Sequence, residues 1–250
     1  MAGALSGRVA IITGAASPIG REIANRFVRE GASLMLGDVE ADKLEQAASS
    51  IQGEHLTAVG DLSREENARH LIDGCLSRFG KIDILINNAG GGIIRAFLEH
   101  TPETLKATID RNLWTTLWCS WLTVPHMKAR GYGRIVNIGA DSVRNGLWLH
   151  AGYNAAKGGV HALATGMARE FAQDGITVNV VAPCIVETPG VKAARNTPMK
   201  DMIEKMTAVV PVGRPAHLHE VASMVSYLAS EEASFVTGQV ISVNGGSTML

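Results

Sequence analysis

Seven short apolar runs, each parted from the next by a stretch of helical periodicity, constrain this chain more than any other feature. They are Val9–Ile12, Ser33–Leu36, His55–Val59, Ile82–Ile86, Gly133–Ile138, Thr177–Val181 and Val240–Val243. Runs this short read as buried strands, and the helical stretches between them imply parallel crossovers. The expected fold is therefore α/β, a single-domain, doubly wound, seven-stranded parallel sheet with helices covering both faces. Helices are expected from the first turn through Glu30 and over Ala41–Ile51, Arg64–Phe79, Pro102–Lys128, Ala151–Phe171 and Leu218–Ala229. No repeat, low-complexity run or Pro/Ser-rich linker divides the 250 residues, so one domain over 1–250 is expected. The least regular region, about 185–214, carries Pro189, Pro198 and Pro211 among Lys and Met; it reads equally as a substrate lid and as a surface excursion.

Charge and cysteine usage narrow the function classes. A formal net charge of -1 with no basic block leaves no electrostatic footprint for nucleic acid or an anionic membrane, so neither is expected as a partner. Cys75, Cys119 and Cys184 lie far apart with no CxxC, which suggests neither a disulfide framework nor a metal site. The N-terminus runs from Leu5-Ser6-Gly7-Arg8 into the first strand without a signal-peptide pattern. With no apolar run near ~18 residues, the expected location is cytoplasmic.

Thr13-Gly14-Ala15-Ala16-Ser17-Pro18-Ile19-Gly20 joins the first strand to the first helix. A glycine turn there sets backbone N–H groups and the helix dipole where a pyrophosphate can sit, although close packing alone also explains such glycines. Asp38 ends the second strand, where a carboxylate accepts hydrogen bonds from both ribose hydroxyls and repels a 2'-phosphate. Ala15, Ala16 and Ser17 offer no cation for that phosphate, so NAD(H) is expected over NADP(H). Asp61, with Leu62 beside it, ends the third strand and reads either as a contact to the adenine amino group or as a turn or helix cap.

Tyr153 and Lys157 lie four apart in a helical segment and so share a face. A phenol ordinarily keeps its proton to a pKa of about 10, and an ammonium held beside it favours the phenolate. The pair is an acid/base device.

Taken together, Thr13-Gly14 to Gly20, Asn87-Asn88-Ala89-Gly90, Asn112, Ile135-Val136-Asn137-Ile138, Tyr153 to Lys157, Val178-Asn179, Pro183 to Thr188, Thr237-Gly238 and Gly245-Gly246 resemble the short-chain dehydrogenase/reductase family. The resemblance spans essentially the whole chain. It implies a Rossmann fold with strand order 3-2-1-4-5-6-7, a nicotinamide cofactor, and a homotetramer or homodimer. It also implies that Asn88, Ala89 and Gly90 support the adenosine side of the cofactor, while Pro183, Ile185 and Thr188 lie on its nicotinamide side. Tyr153 then exchanges the substrate proton, Lys157 lowers its pKa and binds the nicotinamide ribose, and Asn112 supports a proton-relay water.

The sequence departs from the family where a serine normally polarises the substrate oxygen, because that position is Ala140. Three readings stand: Ser142, or less readily Asp141, serves instead; an introduced Ser-to-Ala change traps a ligand; or the protein is a weak or inactive relative. Pro18 replaces the middle glycine of the turn and removes one N–H. Cys184 stands where glycine usually follows Pro183, most simply as a buried thiol.

Ile93, Ile94, Leu147, Trp148, Leu149, Met199 and Met202 make the expected substrate surroundings apolar. Arg95 and Arg144 offer partners for a carboxylate or phosphate, and Lys192 and Arg195 for a larger anionic carrier, against the plainer reading of solvated charges. Trp114, Trp118 and Trp121 make an aromatic stripe, read as core or, by resemblance, as a subunit interface. The leading expectation is an NAD(H)-dependent oxidoreductase acting on a hydrophobic, cyclic or acyl-bearing secondary alcohol or ketone. The alternatives are a 3-oxoacyl thioester reductase and an NAD-binding protein with little or no catalysis.

Overall fold

The computed structural model describes residues 3–249. Its strands are β1 (Val9–Thr13), β2 (Ser33–Asp38), β3 (His55–Val59), β4 (Ile84–Asn87), β5 (Gly133–Ile138), β6 (Ile176–Pro183) and β7 (Val240–Val243). They form one sheet in the order β3-β2-β1-β4-β5-β6-β7, with every neighbouring pair parallel. The order reverses between β1 and β4, which opens a crevice at the carboxyl ends of the strands. Strands β1, β4, β5 and β6 are buried at every residue, as continuous apolar runs require. The edge strand β3 departs from the expected cover on both faces: only Ala58 is buried, since the last strand has a neighbour on one side alone.

Adjacent side chains of a strand point to opposite faces, so Ile11 and Ile12 serve two different cores. The first core packs the sheet against α1 (Pro18–Arg29), α2 (Ala41–Ser49) and α10 (Leu218–Ala229), through residues such as Phe27, Leu44 and Val225. The second packs it against α3 (Glu65–Phe79), α5 (Thr115–Arg130) and α7 (Ala151–Phe171), through Leu71, Cys119 and Met167.

The expected helix Pro102–Lys128 is not continuous. It divides into α4 (Pro102–Ile109), a π-helical turn at Asp110–Trp114, and α5. Within the turn, Thr115 Oγ1 donates to the Arg111 carbonyl and Thr116 Oγ1 to that of Asn112. Such back-bonding distorts the helical ladder. The short α6 (Ser142–Asn145) follows β5. The 185–214 region holds α8 (Pro189–Ala194) and α9 (Lys200–Ala208) around a small cluster of Ile185, Ile203 and Val210. Among the described residues, no helix is long and apolar enough to cross a membrane, and no group of His, Cys, Asp or Glu is arranged to hold a metal.

Candidate active site

The glycine turn is shaped by contacts that leave no room for side chains. Gly14 has φ +64°, and a Cβ on it would lie 2.8 Å from Ala89 Cα; one on Gly20 would lie 2.3 Å from the Gly14 carbonyl oxygen. Ser17 caps α1, its Oγ accepting the Gly20 N–H at 3.1 Å, and Pro18 occupies the first helical position. Asn88 latches the turn from β4, donating through Nδ2 to the carbonyls of Thr13 and Gly14 and to Ser17 Oγ. Thr13 Oγ1 accepts the N–H groups of Asn88 and Ala89. Pro18 has no N–H and Gly20 is taken by Ser17, so Ile19 is the N–H donor remaining in this first turn.

A cavity of about 710 Å³ opens beside the turn, lined by Gly14, Ser17, Pro18, Asp38, Asp61, Leu62, Asn88, Ala89 and Gly90. Asp38 Oδ2 accepts the Ala16 N–H at 2.9 Å and Oδ1 the Glu40 N–H at 3.1 Å. A carboxylate has lone pairs to spare beyond these two. The main-chain bonds hold its oxygens at the cavity wall. Asp61 Oδ1 accepts the Ser63 N–H at 3.0 Å, which gives it the turn-capping role as well as a place in the lining. The groove matches an adenosine and pyrophosphate in its closely approaching backbone, its helix N-terminus and its carboxylate at the strand end.

Tyr153 and Lys157 project from α7 into the crevice. Lys157 is buried and its Nζ donates to the Ile138 carbonyl at 2.7 Å, 6.0 Å from the centroid of the Tyr153 ring. Burial pushes the Tyr153 phenol up to about 12 and the Lys157 ammonium down to about 8. In the protein alone, burial opposes the phenolate that Lys157 is expected to favour. Asn112 is fully buried in the π-helical turn. Its Oδ1 accepts the Gly91 N–H and its Nδ2 donates to the Gly91 and Thr108 carbonyls, so the side chain anchors the loop after β4. A Cβ on Gly90 would lie 2.5 Å from Asn112 Oδ1 and 3.3 Å from Lys157 Nζ. The fold thus brings Gly90, Asn112 and Lys157 together.

Ala140 lines the second cavity, of about 280 Å³, together with Tyr153, Ile138 and Ile185. Its N–H is directed to His161 Nε2 at 3.3 Å, and a Cβ on Gly139 would lie 2.3 Å from that same nitrogen. The half-buried His161 ring takes the space behind β5. Its pKa falls to about 4 through burial, with Arg144 and Lys157 adding repulsion. Ser142 lines the cavity too, but its hydroxyl donates to Asn154 Oδ1 at 2.6 Å, while Asn154 Nδ2 returns a bond to the Ser142 carbonyl. As a substitute donor Ser142 is therefore already engaged. Asp141 is fully buried and accepts from Ser242, Asn244, Asn145, Ser247 and Thr248. It anchors the C-terminal segment and offers nothing to a substrate.

Ile94 and Leu147 line the substrate cavity, joined by Met206 and Val209 from the 185–214 region. Met199 and Met202 do not line it; Met199 sits at the start of α9 and is 49% exposed. Ile93 is half-buried outside the lining, and Trp148 is 64% exposed. Arg144 is turned away from the cavity, donating to Ser242 Oγ and the Val240 carbonyl, which removes it as a substrate partner. Arg95 keeps a buried Nε with no partner, and its N–H donates to the Leu149 carbonyl. Arg195 pairs with Glu187 at 3.1 Å. On the nicotinamide side, Pro183 and Ile185 line the cavity, whereas Thr188 caps α8 by accepting the Val191 N–H. Burial raises the Cys184 thiol to about 11, with Asp141 adding to it, as suits an inert thiol.

Sequence reasoning missed His150, which is buried against the cavity with its ring 6.0 Å from that of Tyr153, centroid to centroid. The available signal was its spacing, three residues before Tyr153 and one turn away. Met206 and Val209 fall in the 185–214 stretch read as a candidate substrate lid, with no signal that singled them out.

The family model described as "Enoyl-(Acyl carrier protein) reductase" matches residues 14–248. A 2,3-dihydroxy-2,3-dihydro-p-cumate dehydrogenase of Pseudomonas putida is 55% identical over 250 residues, covering 98% of this chain and 96% of its own. A 1,6-dihydroxycyclohexa-2,4-diene-1-carboxylate dehydrogenase of Acinetobacter baylyi is 34% identical, covering 96% and 95%. The crystal structure of levodione reductase superposes with a TM-score of 0.91 at 30% identity, over 97% of this chain and 98% of that one.

Proposed function

This chain belongs to the short-chain dehydrogenase/reductase family, and we propose that it is an NAD(H)-dependent dehydrogenase oxidising one hydroxyl of a cyclic dihydrodiol to a ketone. The observation that carries the reading is the small cavity in which Tyr153 meets mostly apolar side chains, Ile94, Ile138, Leu147, Ile185 and Met206. A small pocket whose polar side chains are mostly paired among themselves suits a compact ring better than a long polar carrier. Two relatives named for dihydroxylated rings, one of them 55% identical, support the same substrate class. Asp38 beside the glycine turn favours NAD(H) over NADP(H), by accepting ribose hydroxyls and repelling a phosphate.

Bound NAD⁺ supplies the hydride acceptor and a positive charge. The protein supplies the rest. Gly14 and Gly20, which leave no room for side chains, and the Ile19 N–H would seat the pyrophosphate, and Asp38 the ribose. Tyr153 Oη takes the substrate's hydroxyl proton as the carbinol C–H bond breaks. It can take that proton only as the phenolate, which burial opposes and which the buried Lys157 ammonium, together with the positive charge NAD⁺ would bring, favours. Asn112 holds the loop beneath the cavity rigid.

The test is NAD⁺ reduction followed by absorbance on cyclic dihydrodiols, cyclic mono-alcohols and 3-hydroxyacyl thioesters. Dihydrodiols give the highest kcat/KM, and Tyr153→Phe abolishes turnover while NADH binding by fluorescence persists. A preference for thioesters, or turnover by Tyr153→Phe, overturns the reading.

A further inference from the structure

The cavity holding Tyr153 is lined by several polar side chains, and nearly all are occupied. Asp141 is saturated by donors, Ser247 donates to it, and Ser142 donates to Asn154. Asn145 donates to Asp141 through Nδ2 and accepts the Leu147 N–H through Oδ1. Cys184 is a thiol turned to the Ile185 carbonyl. Two polar atoms are left without a partner among the described residues: the Tyr153 hydroxyl and His150 Nε2.

The tautomer of His150 follows from its other nitrogen. Nδ1 lies 2.5 Å from the Trp148 carbonyl oxygen, and a carbonyl only accepts, so Nδ1 carries the hydrogen. Neutral His150 therefore presents Nε2 as an acceptor. The backbone is bent to achieve this. Leu149, between Trp148 and His150, is the one non-glycine residue among those described with positive φ, at +63°. Leucine enters that region only against steric resistance, and such strain persists where the surroundings hold it in place. Here the Leu149 carbonyl accepts the Arg95 N–H, while His150 donates its own N–H to the Leu147 carbonyl and accepts that of Asn154.

An acceptor cannot polarise a developing ketone, which needs a donor. It can receive the proton of a hydroxyl that stays a hydroxyl. We propose that His150 is a specificity-determining residue that accepts a hydrogen bond from the second, unreacting hydroxyl of a vicinal cyclic diol while Tyr153 serves the hydroxyl being oxidised. This rests on the dihydrodiol reading above. A site built to pair with a hydroxyl discriminates strongly against an analogue lacking it, since the buried polar atom is then left unpaired.

The experiment compares kcat/KM for cis-3,5-cyclohexadiene-1,2-diol with that for cyclohex-2-en-1-ol, which lacks the second hydroxyl, at saturating NAD⁺. The parent favours the diol. His150→Phe, which fills the space and has no acceptor, lowers the diol-to-mono-alcohol ratio by about 10- to 100-fold. His150→Gln, which restores an acceptor oxygen, recovers most of it. Thermal unfolding of each variant accompanies the kinetics. If the parent prefers the diol and His150→Phe leaves the ratio standing, even with both rates lowered together, His150 only packs the loop and the proposal fails alone. A parent that takes the mono-alcohol as readily as the diol overturns the dihydrodiol reading and this role with it.

Discussion

Lys157 gives its hydrogen bond to the main-chain carbonyl of Ile138, 2.7 Å away, and not to Tyr153. The charge is thus parked on β5 within a buried site, where desolvation lowers its pKa from 10.5 to about 8. Folding with a lowered lysine pKa means that the unfolded chain binds more protons between those two values. Stability from this residue therefore rises with pH through that window and is lost as pH falls through about 8. A shift of this size corresponds to about 3 kcal/mol. Urea unfolding of the parent relative to Lys157→Met is expected to shift by that order in the parent's favour from pH 7 to above pH 10. A difference that does not move with pH overturns the burial argument.

Ser142 is expected to matter for stability more than for chemistry, because its hydroxyl is engaged by Asn154. Ser142→Ala is expected to cost about 1 kcal/mol in urea unfolding and to change kcat less than about threefold. A fall of about 100-fold, the size seen when an oxyanion donor is removed, would instead make Ser142 the replacement for the missing hydroxyl at Ala140.

Asp141 receives five hydrogen bonds and has no cation within ion-pair distance among the described residues. Four of the donors, Ser242, Asn244, Ser247 and Thr248, come from the C-terminal segment. Asp141→Asn sets an NH₂ group against donors, and is expected to destabilise by about 3 kcal/mol and to expose that segment. Hydrogen exchange confined to residues beyond 240 checks this; unchanged protection there rejects the anchoring role.

Asp38→Ser is expected to raise KM for NAD⁺ by about tenfold or more and to narrow the preference over NADP⁺, since it removes the acceptors and the repulsion together. The outcome is read from paired initial rates. An unchanged cofactor ratio shows that selectivity lies elsewhere.

Trp114 and Trp121 are 41% and 62% exposed and sandwich Trp118, with ring centroids 5.2 Å and 6.0 Å apart. Trp118 packs against the second core, while its two neighbours stay exposed. An aromatic surface of this kind suits a subunit interface, as the homotetramer or homodimer expected from the resemblance would need. Trp121→Glu is expected to reduce the mass measured by light scattering; a parent that is already monomeric contradicts the assembly.

Much of the fold was legible because the signals are local. Strand periods, the Ser17 cap with Pro18 behind it, and the four-residue spacing of Tyr153 and Lys157 each lie within one or two turns of chain. The break in the helix at Asn112 was not legible. It depends on Gly91, 21 residues away, accepting and donating to the Asn112 amide. Arg144 looked as suitable for a substrate anion as Arg95 until β7, nearly a hundred residues on, supplied its partners. Met199 and Met202 were plausible on composition, yet the turns of α9 bring Met206 and Val209 to the cavity.

By itself the sequence determined the parallel sheet, the glycine turn facing Asp38, and the helix that carries Tyr153 and Lys157, since these follow from periodicity and short-range sterics. Tertiary structure alone decided which polar atoms remain free to act. Whether Ser142, Asp141 or His150 can serve a ligand depends on where its hydrogen bonds already go, and partners such as Ser247 lie 106 residues from Asp141. A buried polar group takes the nearest satisfying partner in space. For that reason Ser142, which the chain offers as a replacement for the hydroxyl missing at Ala140, is already engaged by Asn154, while one nitrogen of His150 beside Tyr153 is unclaimed.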